Sequence, residues 1–439
     1  MDTIYALSTG PSVAGVAVIR ISGPRARDVA GRFRFRLPKP RMATLRRLVD
    51  PRSHEVIDQA LVLLFPAPDS FTGDDVIELQ VHGSRAVTRW ILQTLGASEG
   101  FRPAEAGEFS RRAFLNGKMD LLDVEALGDL LAAETRAQII LADHNRHNLR
   151  GAVDQWRQSL IELRGLTEAL IDFSDEDDVL QSFDSNLQQM IGDLRTAVEQ
   201  ASQPNAAAEI IRDGFRVALL GPPNAGKSSL LNTLARRDVA IVSDIAGTTR
   251  DVLEVHLDLG GHSVILMDTA GIRETVDPLE REGISRTKRA ADAADYRIWL
   301  QAVDLDGHTE LGIDQADMVI TTKSDKLDSD SKQLQAEDRL AVSVRTGEGI
   351  NALIDHLATV VAEAAWRPRE GFGIVHERQI AGLKTAVTAL REAEACDLND
   401  LELRAEALRS ASVALDRLIG RIEPDQVLDV VFSRFCIGK

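Results

Sequence analysis

The stretch that most constrains how this chain can fold is GPPNAGKSS, Gly221 to Ser229. It fits the pattern Gly-x4-Gly-Lys-Ser/Thr, with the compact apolar run RVALL before it and SSLLNTLA after it. A strand, a glycine-rich loop and then a helix let backbone N–H groups curl around phosphate oxygens, and the helix N-terminus adds partial positive charge. Asn224, Ala225, Gly226, Lys227, Ser228 and Ser229 are therefore read as a phosphate site. Lys227 would reach the β and γ phosphates, and Ser228 would hold Mg²⁺.

Further elements follow in the order such a site needs. VILMDTAG is an apolar strand ending on Asp268, placed to reach Mg²⁺ through water, with Thr269, Ala270 and Gly271 next and the Gly271 N–H facing the γ-phosphate. GTTRD lies between the two and offers Thr248 and Thr249 as switch residues. MVITTKSDKL is a strand followed by Lys323, Ser324 and Asp325. A carboxylate at Asp325 accepts guanine's N1–H and exocyclic amine, a donor pair that adenine lacks, so the nucleotide is GTP. SVRTGEG, beginning Ser343, Val344, Arg345, fits the loop closing over the base. Thr322 stands where Asn is customary, which predicts retained selectivity with some loss of affinity or rigidity. Ile272 follows Gly271 and cannot polarise water. Transition-state charge must then be met by an arginine, with Arg250 and Arg273 as candidates, or by a monovalent cation held by the Asn224 side-chain oxygen. Asn224 as a plain brace for the loop is the equal alternative.

The remaining chain divides by its prolines. Eight fall by Pro103 and none between there and Pro204. The early part alternates β-rich runs with turns; the proline-free part repeats apolar residues at helical spacing, as in Leu121, Val124, Leu127, Leu131 and in Leu160, Leu163, Leu166, Leu170. Helical sequence resumes from about His376. The expected fold is α/β multidomain, with a nucleotide-binding domain inserted into a helical one. Cys396 and Cys436 are too few and too far apart for a disulfide framework, and the N-terminus has no signal-peptide core, so a reducing, cytoplasmic setting without a membrane span is expected. Net charge is −17, which argues against a wholly nucleic-acid-coating surface. Yet ten bases and one acid lie between Arg20 and Arg47, a run able to meet an RNA backbone locally.

With FTGDDVIELQVHG, GEFSRRAFLNGKMDL, SDIAGTTRDV, DTAGIRE and the terminal FCIGK beside the phosphate loop, the chain resembles, end to end, the MnmE (TrmE) family of tRNA-modification GTPases, within the TrmE-Era-EngA-like P-loop GTPases. The resemblance implies an N-terminal α+β tetrahydrofolate-binding and dimerisation domain over 1–117, helical parts over 118–212 and 368–439, and an inserted Ras-like G domain over 213–367. It implies K⁺-dependent GTP hydrolysis and an FAD-dependent partner, MnmG, in a heterotetramer. Together they modify C5 of the tRNA wobble uridine (aminomethyl or carboxymethylaminomethyl addition) with a one-carbon unit from a 5,10-methylene or 5-formyl tetrahydrofolate. Carried over residue by residue, the potassium ligands fall on Asn224, Ser243, Ile245 and Thr248, the magnesium ligands on Ser228 and Thr249, and the nucleotide contacts also on Asp244, Ala246 and Gly247. Glu280 matches the glutamate that orients the attacking water. The folate contacts fall on Arg20, Glu78, Lys118 and Lys439, and Glu78 suits a pterin because a carboxylate receives two N–H donors at once. The tail FCIGK, too polar at its end for a prenylation box, is read as part of the folate site, with Cys436 either a nucleophile or a packing residue. The rival is a ribosome-assembly or regulatory GTPase without folate chemistry; the chain has no Gly-x-x-Gly loop of the KH type.

Overall fold

The computed structural model describes residues 2–10, 12–172, 177–237, 239–241, 254–268, 292–304, 316–327, 340–365, 371–421, 428, 431–432, 435 and 437–438. These residues form two compact units. The first holds residues 1–128, 153–195 and 382–439, and the second 129–152 and 196–381. No helix among the described residues is long and apolar enough to cross a membrane.

The first unit begins with a six-stranded sheet of order β3-β4-β5-β2-β1-β6. Its strands are β1 (Thr3–Leu7), β2 (Ala14–Ser22), β3 (Thr44–Val49), β4 (Val56–Phe65), β5 (Val76–Gly83) and β6 (Phe101–Pro103). All neighbours are antiparallel except β1 and β6. Strict alternation decides the two faces. Ile19, Ile21, Val62, Leu64, Ile77 and Leu79 bury against the short α1 (Val29–Arg32) and α2 (Arg85–Gly96), which contributes Ile91 and Leu95. Ser84 caps α2, its side chain accepting from the Ala86 N–H. The opposite face carries Ile4 and Ala6, covered by Phe109 of α3 (Glu108–Leu115), and it carries Arg20 and Glu78.

The helical part of this unit uses α4 (Leu121–Ala132) to Gly128, α5 (Arg136–Asp172) from Val153, α6 (Asp177–Ala201) to Arg195, α10 (Glu377–Ala395) from Gly382 and α11 (Leu401–Leu418). Leu160, Leu163 and Leu170 are buried as their spacing predicts, and Leu166 of the same stripe is half-buried. Within this unit Leu121 and Val124 of α4 pack with Phe432 and Phe435, while Leu131, which falls in the second unit, departs from the predicted stripe and is 45% exposed. Ion pairs tie the helices: Arg157 to Asp416 at 2.7 Å and Arg195 to Glu394 at 2.7 Å.

The second unit is built on a sheet of order β12-β11-β10-β7-β9-β8. Its strands are β7 (Phe215–Leu220), β8 (Glu254–Leu259), β9 (His262–Asp268), β10 (Tyr296–Ala302), β11 (Met318–Thr322) and β12 (Leu340–Val342). Only β8 runs antiparallel to its neighbour. The parallel strands are near-continuous apolar runs because helices α8 (Lys227–Leu234) and α9 (Ile350–Ala364) cover the core built on Val217, Leu219, Leu266 and Ile320. Parallel pairing also brings the carboxyl ends of β7, β9, β10, β11 and β12 to one edge, where ligands bind in such sheets. Helix α7 (Ala206–Asp213) leads into β7, and Asn205 caps it by accepting from the Ala208 N–H.

Candidate nucleotide site and the N-terminal sheet face

At the carboxyl end of β7 the chain turns through Gly221 at φ +141°, and a Cβ there would lie 2.5 Å from the Leu300 carbonyl oxygen. Only glycine tolerates that approach. Asn224 takes the left-handed conformation at φ +60° and is exposed at the mouth of the loop. Gly226, at φ +96°, opens α8. Lys227 is buried, and its Nζ donates to the carbonyls of Gly221 at 2.7 Å and Pro222 at 3.0 Å. Burial lowers its pKa, while the charge of Asp268 pulls the other way. The loop thus keeps one ammonium inside a ring of its own backbone, the charge a triphosphate needs.

Ser228 Oγ donates to Asp268 Oδ2 at 2.5 Å. A hydroxyl and a carboxylate converging from α8 and the end of β9 are hard oxygen ligands, the donor set that suits Mg²⁺. At the base end, Asp325 accepts from Ser343 Oγ at 2.7 Å and faces the Arg345 guanidinium at 3.6 Å. The Ser343 hydrogen bond, first among the causes, lowers its pKa, so the carboxylate stays an acceptor aimed by its neighbours. Val344 lies between them, and Ser324 is buried with its Oγ lacking a protein partner among the described residues. Lys323 sits at φ +60°, its Nζ 2.7 Å from Asp304 Oδ1. Hydrogen bonds from Lys323 and then Lys326 pull the Asp304 pKa down to about 2. Asp304 is a site neighbour that no motif spacing singles out.

Thr322 resolves the departure from the customary Asn. Its buried Oγ1 donates to the Ala225 carbonyl at 2.6 Å, so the hydroxyl ties the guanine loop to the phosphate loop. The amide's lost second arm is not needed for that brace. Thr322→Val keeps the shape and strands a buried carbonyl, at a cost of about 1–3 kcal/mol. GTP affinity should fall by roughly tenfold, as measured by titration with a fluorescent GTP analogue; unchanged affinity would make the hydrogen bond incidental. Ser243, Asp244, Ile245, Ala246, Gly247, Thr248, Thr249, Arg250, Thr269, Ala270, Gly271, Ile272, Arg273, Glu280, Cys436 and Lys439 lie outside the described residues.

On the N-terminal sheet, Arg20 and Glu78 are directly opposite in the β2–β5 register. Arg20 places both Nε and Nη2 3.0 Å from Glu78 Oε1. The other oxygen, Oε2, has no protein hydrogen bond among the described residues, so the carboxylate keeps acceptor capacity. The guanidinium lies over the rings of Phe71 and Phe109, 5.3 and 5.7 Å from their centroids. Neither ring was a sequence candidate, because cation–π stacking leaves no local signature. Lys118 is exposed just past α3 and shares no hydrogen bond or ion pair with Arg20 or Glu78 among the described residues. Asn116, two residues earlier, donates to the Thr72 carbonyl at 2.7 Å, beside Phe71.

The end of the chain returns to this sheet. Ile437 bridges Ala106, and the Gly438 carbonyl accepts from Ser8 Oγ at 3.1 Å. Gly438 sits at φ +101°, and a Cβ on it would collide with the Leu7 carbonyl oxygen. Ala6, one residue before Leu7, is the register partner of Arg20.

The family model described as the GTP-binding protein TrmE N-terminus matches residues 3–118, and that of the MnmE helical domain matches residues 121–436. The tRNA modification GTPase MnmE of Rhizobium meliloti (strain 1021) is 46% identical, covering 100% of this chain and 99% of its own. The protein of the same name from Chelativorans sp. is 46% identical, covering 100% of this chain and 98% of its own. Aquifex aeolicus Era bound to GDP·AlF4⁻, a solved structure, is 21% identical, covering 40% of this chain and 66% of its own at a TM-score of 0.27. With full-length relatives at this identity and both family models in register on one continuous sequence, the chain belongs to the MnmE (TrmE) family of tRNA modification GTPases.

Proposed function

We propose that this GTPase is potassium-activated and works with a folate one-carbon donor and the FAD-dependent partner MnmG to modify C5 of the tRNA wobble uridine in the cytoplasm. A homodimer joined to two partner chains would be the working assembly. The single observation that carries the folate half is the in-register Arg20–Glu78 pair, with one carboxylate oxygen left for a ligand; Gly438 is held by Ser8 on the same sheet. The pterin's amino and ring N–H groups would meet Glu78, and Lys118 and Lys439 would meet the acidic end of the molecule. Bound folate supplies the one-carbon unit; the protein's part is to hold the pterin and exclude water. The tail, anchored through Ile437 and Gly438, would carry Cys436 and Lys439 to that face.

In the G domain, Lys227 would neutralise β and γ phosphate charge, and Ser228, Thr249 and Asp268 would hold Mg²⁺. Asp325 would select guanine. Potassium, held by Asn224 with Ser243, Ile245 and Thr248, supplies positive charge where the transition state develops negative charge. The exposed, left-handed Asn224 at the mouth of the loop supports a ligand role, since a brace would face inward. Hydrolysis in K⁺ should exceed that in Na⁺ by at least about tenfold, on the scale of one electrostatic contact to the transition state. Equal rates in the two salts at matched ionic strength would remove the ion from the mechanism.

Glu280 would orient the attacking water in place of the glutamine that Ile272 displaces. Glu280→Ala should lower turnover by roughly a hundredfold, typical of a positioned acid–base group, with GTP affinity nearly intact. A fall in affinity with turnover maintained would assign the residue a structural role instead. Direct binding of 5-formyl-tetrahydrofolate, measured by calorimetry, tests the folate reading against a purely regulatory GTPase.

A further inference from the structure

We infer that the strip from Arg32 to Arg47 on the N-terminal sheet is a docking surface for the phosphate backbone of the tRNA substrate. The inference rests on the family reading for the identity of that RNA. The strip holds seven basic residues, Arg32 included, and no acid, in a chain whose net charge is −17. Charge of that sign on an otherwise acidic protein repels RNA everywhere except where the sign reverses.

Alternation builds the strip. In RFRFRL, Phe33 and Phe35 are 0% and 9% exposed and sit in the core of the sheet, while Arg34 and Arg36 are exposed. The buried rings fix the backbone, so the arginines have a defined direction. The segment is laid along the edge strand β3: the Val49 N–H donates to the Phe33 carbonyl at 3.0 Å, and Arg46 Nε donates to the Arg36 carbonyl at 2.7 Å. Arg34, Arg36, Lys39, Arg41 and Arg47 are each exposed, in this segment and on the edge strand β3 that it lies against. Nearer the start of the basic run, Arg20, Arg25 and Arg27 are each taken up by a carboxylate: Glu78, Asp28 and Asp75. Among the described residues Arg34, Arg36, Lys39 and Arg47 have no acidic partner, and Arg41 and Arg46 donate only to backbone carbonyls.

Backbone conformation is an independent observation. Arg34 and Arg41 occupy the left-handed region, at φ 56° and 61°. Arg34 closes the helix α1 turn: the Phe35 N–H donates to the Ala30 carbonyl at 2.8 Å and its own N–H to the Gly31 carbonyl at 3.4 Å. That position in a helix-ending turn ordinarily takes glycine, which has no Cβ to strain. Arginine there points to a use for the side chain. Exposed, unpaired guanidiniums recognise phosphates bidentately, and interactions of this kind position an RNA without reading its sequence.

The test uses the full chain and mixed cellular tRNA carrying a fluorophore, with anisotropy followed across a salt series. The variant Arg34→Gln, Arg36→Gln, Lys39→Gln, Arg47→Gln removes four phosphate-facing charges, which should reduce the slope of log affinity against log salt by about 3. Low-salt affinity should fall at least about tenfold, while GTP turnover holds. Lysine at the three arginine positions keeps the charge and should keep most of the slope. Arg34→Gly should weaken binding while leaving the melting temperature unchanged or higher, an outcome that loss of folding cannot mimic. Wild-type-like binding by the glutamine variant, no tRNA binding by the wild type at low salt, equal binding of polyaspartate, or a change in sedimentation of the variant would each overturn the inference. The substrate assignment is tested apart from it, by mass spectrometry of wobble uridines in a strain lacking the chain.

Discussion

Glu78→Gln should abolish measurable folate binding while GTP turnover stays at the wild-type rate. The pterin edge presents N–H donors, and the carboxylate meets them with acceptors; an amide turns an N–H₂ group toward them instead. Sites built to hydrogen-bond a polar ligand lose about 10⁴ or more when a buried partner is left unpaired. Glu78 is 17% exposed, so water softens the loss. A fall of about a thousandfold is expected on that scale. The glutamine oxygen still accepts from Arg20, which keeps its place over Phe71 and Phe109, so the sheet should melt within a few degrees of wild type. Calorimetric titration with 5-formyl-tetrahydrofolate reads the affinity, and wobble-uridine mass spectrometry reads the consequence. Folate binding within about threefold of wild type would move the folate site away from this face. GTP hydrolysis is carried by the other compact unit, so a parallel fall there would show misfolding rather than a missing ligand hydrogen bond.

Arg404→Leu should cost the helical part about 3–5 kcal/mol, because it leaves a buried carboxylate without its counter-charge. Arg404 is completely buried on α11. Its Nη1 donates to Asp184 Oδ1 of α6 at 2.5 Å, and its Nη2 donates to the Cys396 carbonyl in the turn after α10. Gln188 of α6 donates to the same carbonyl at 3.3 Å. One guanidinium therefore sets the α10–α11 turn against α6, and its Nε remains without a hydrogen-bond partner among the described residues. A melting-temperature drop on the order of 10 °C is expected for a unit of this size. Arg404→Leu combined with Asp184→Leu should recover most of the loss, since a well-packed apolar pair is as stable as a buried ion pair or more so. A single variant that melts like the wild type would show that water reaches Asp184. A double variant no better than the single would show that packing, not the stranded charge, set the cost.

The nucleotide site was legible because its chemistry is local. Gly221 to Ser229 encode their own loop, and the order of Asp268, Thr322–Asp325 and Ser343 along alternating strand and helix signals fixes which end of a parallel sheet they share. Parallel pairing leaves little freedom once the strands are recognised. The helical stripe through Leu160, Leu163 and Leu170 was equally open to reading, since burial follows a 3.6-residue period.

Other features depended on which distant segments meet. Nothing in LELRAEALRS separates the buried Arg404 from an exposed helix arginine, and its partner Asp184 is 220 residues away. Thr322 reads locally only as a departure from the customary Asn; the fold alone puts its hydroxyl on the Ala225 carbonyl. Arg20 and Glu78 follow from resemblance alone; the β2–β5 register makes them an ion pair, and the rings of Phe71 and Phe109 stack on its guanidinium. By itself, then, the sequence determined the element types, the phosphate loop and the order of its companions, because dihedral preference, side-chain period and glycine freedom act over a few residues. The tertiary structure alone decided partnership. A charge becomes a buried structural brace, half of an ion pair or an exposed group without an acidic partner according to what packing brings within hydrogen-bond reach, and that energy belongs to pairs far apart along the chain.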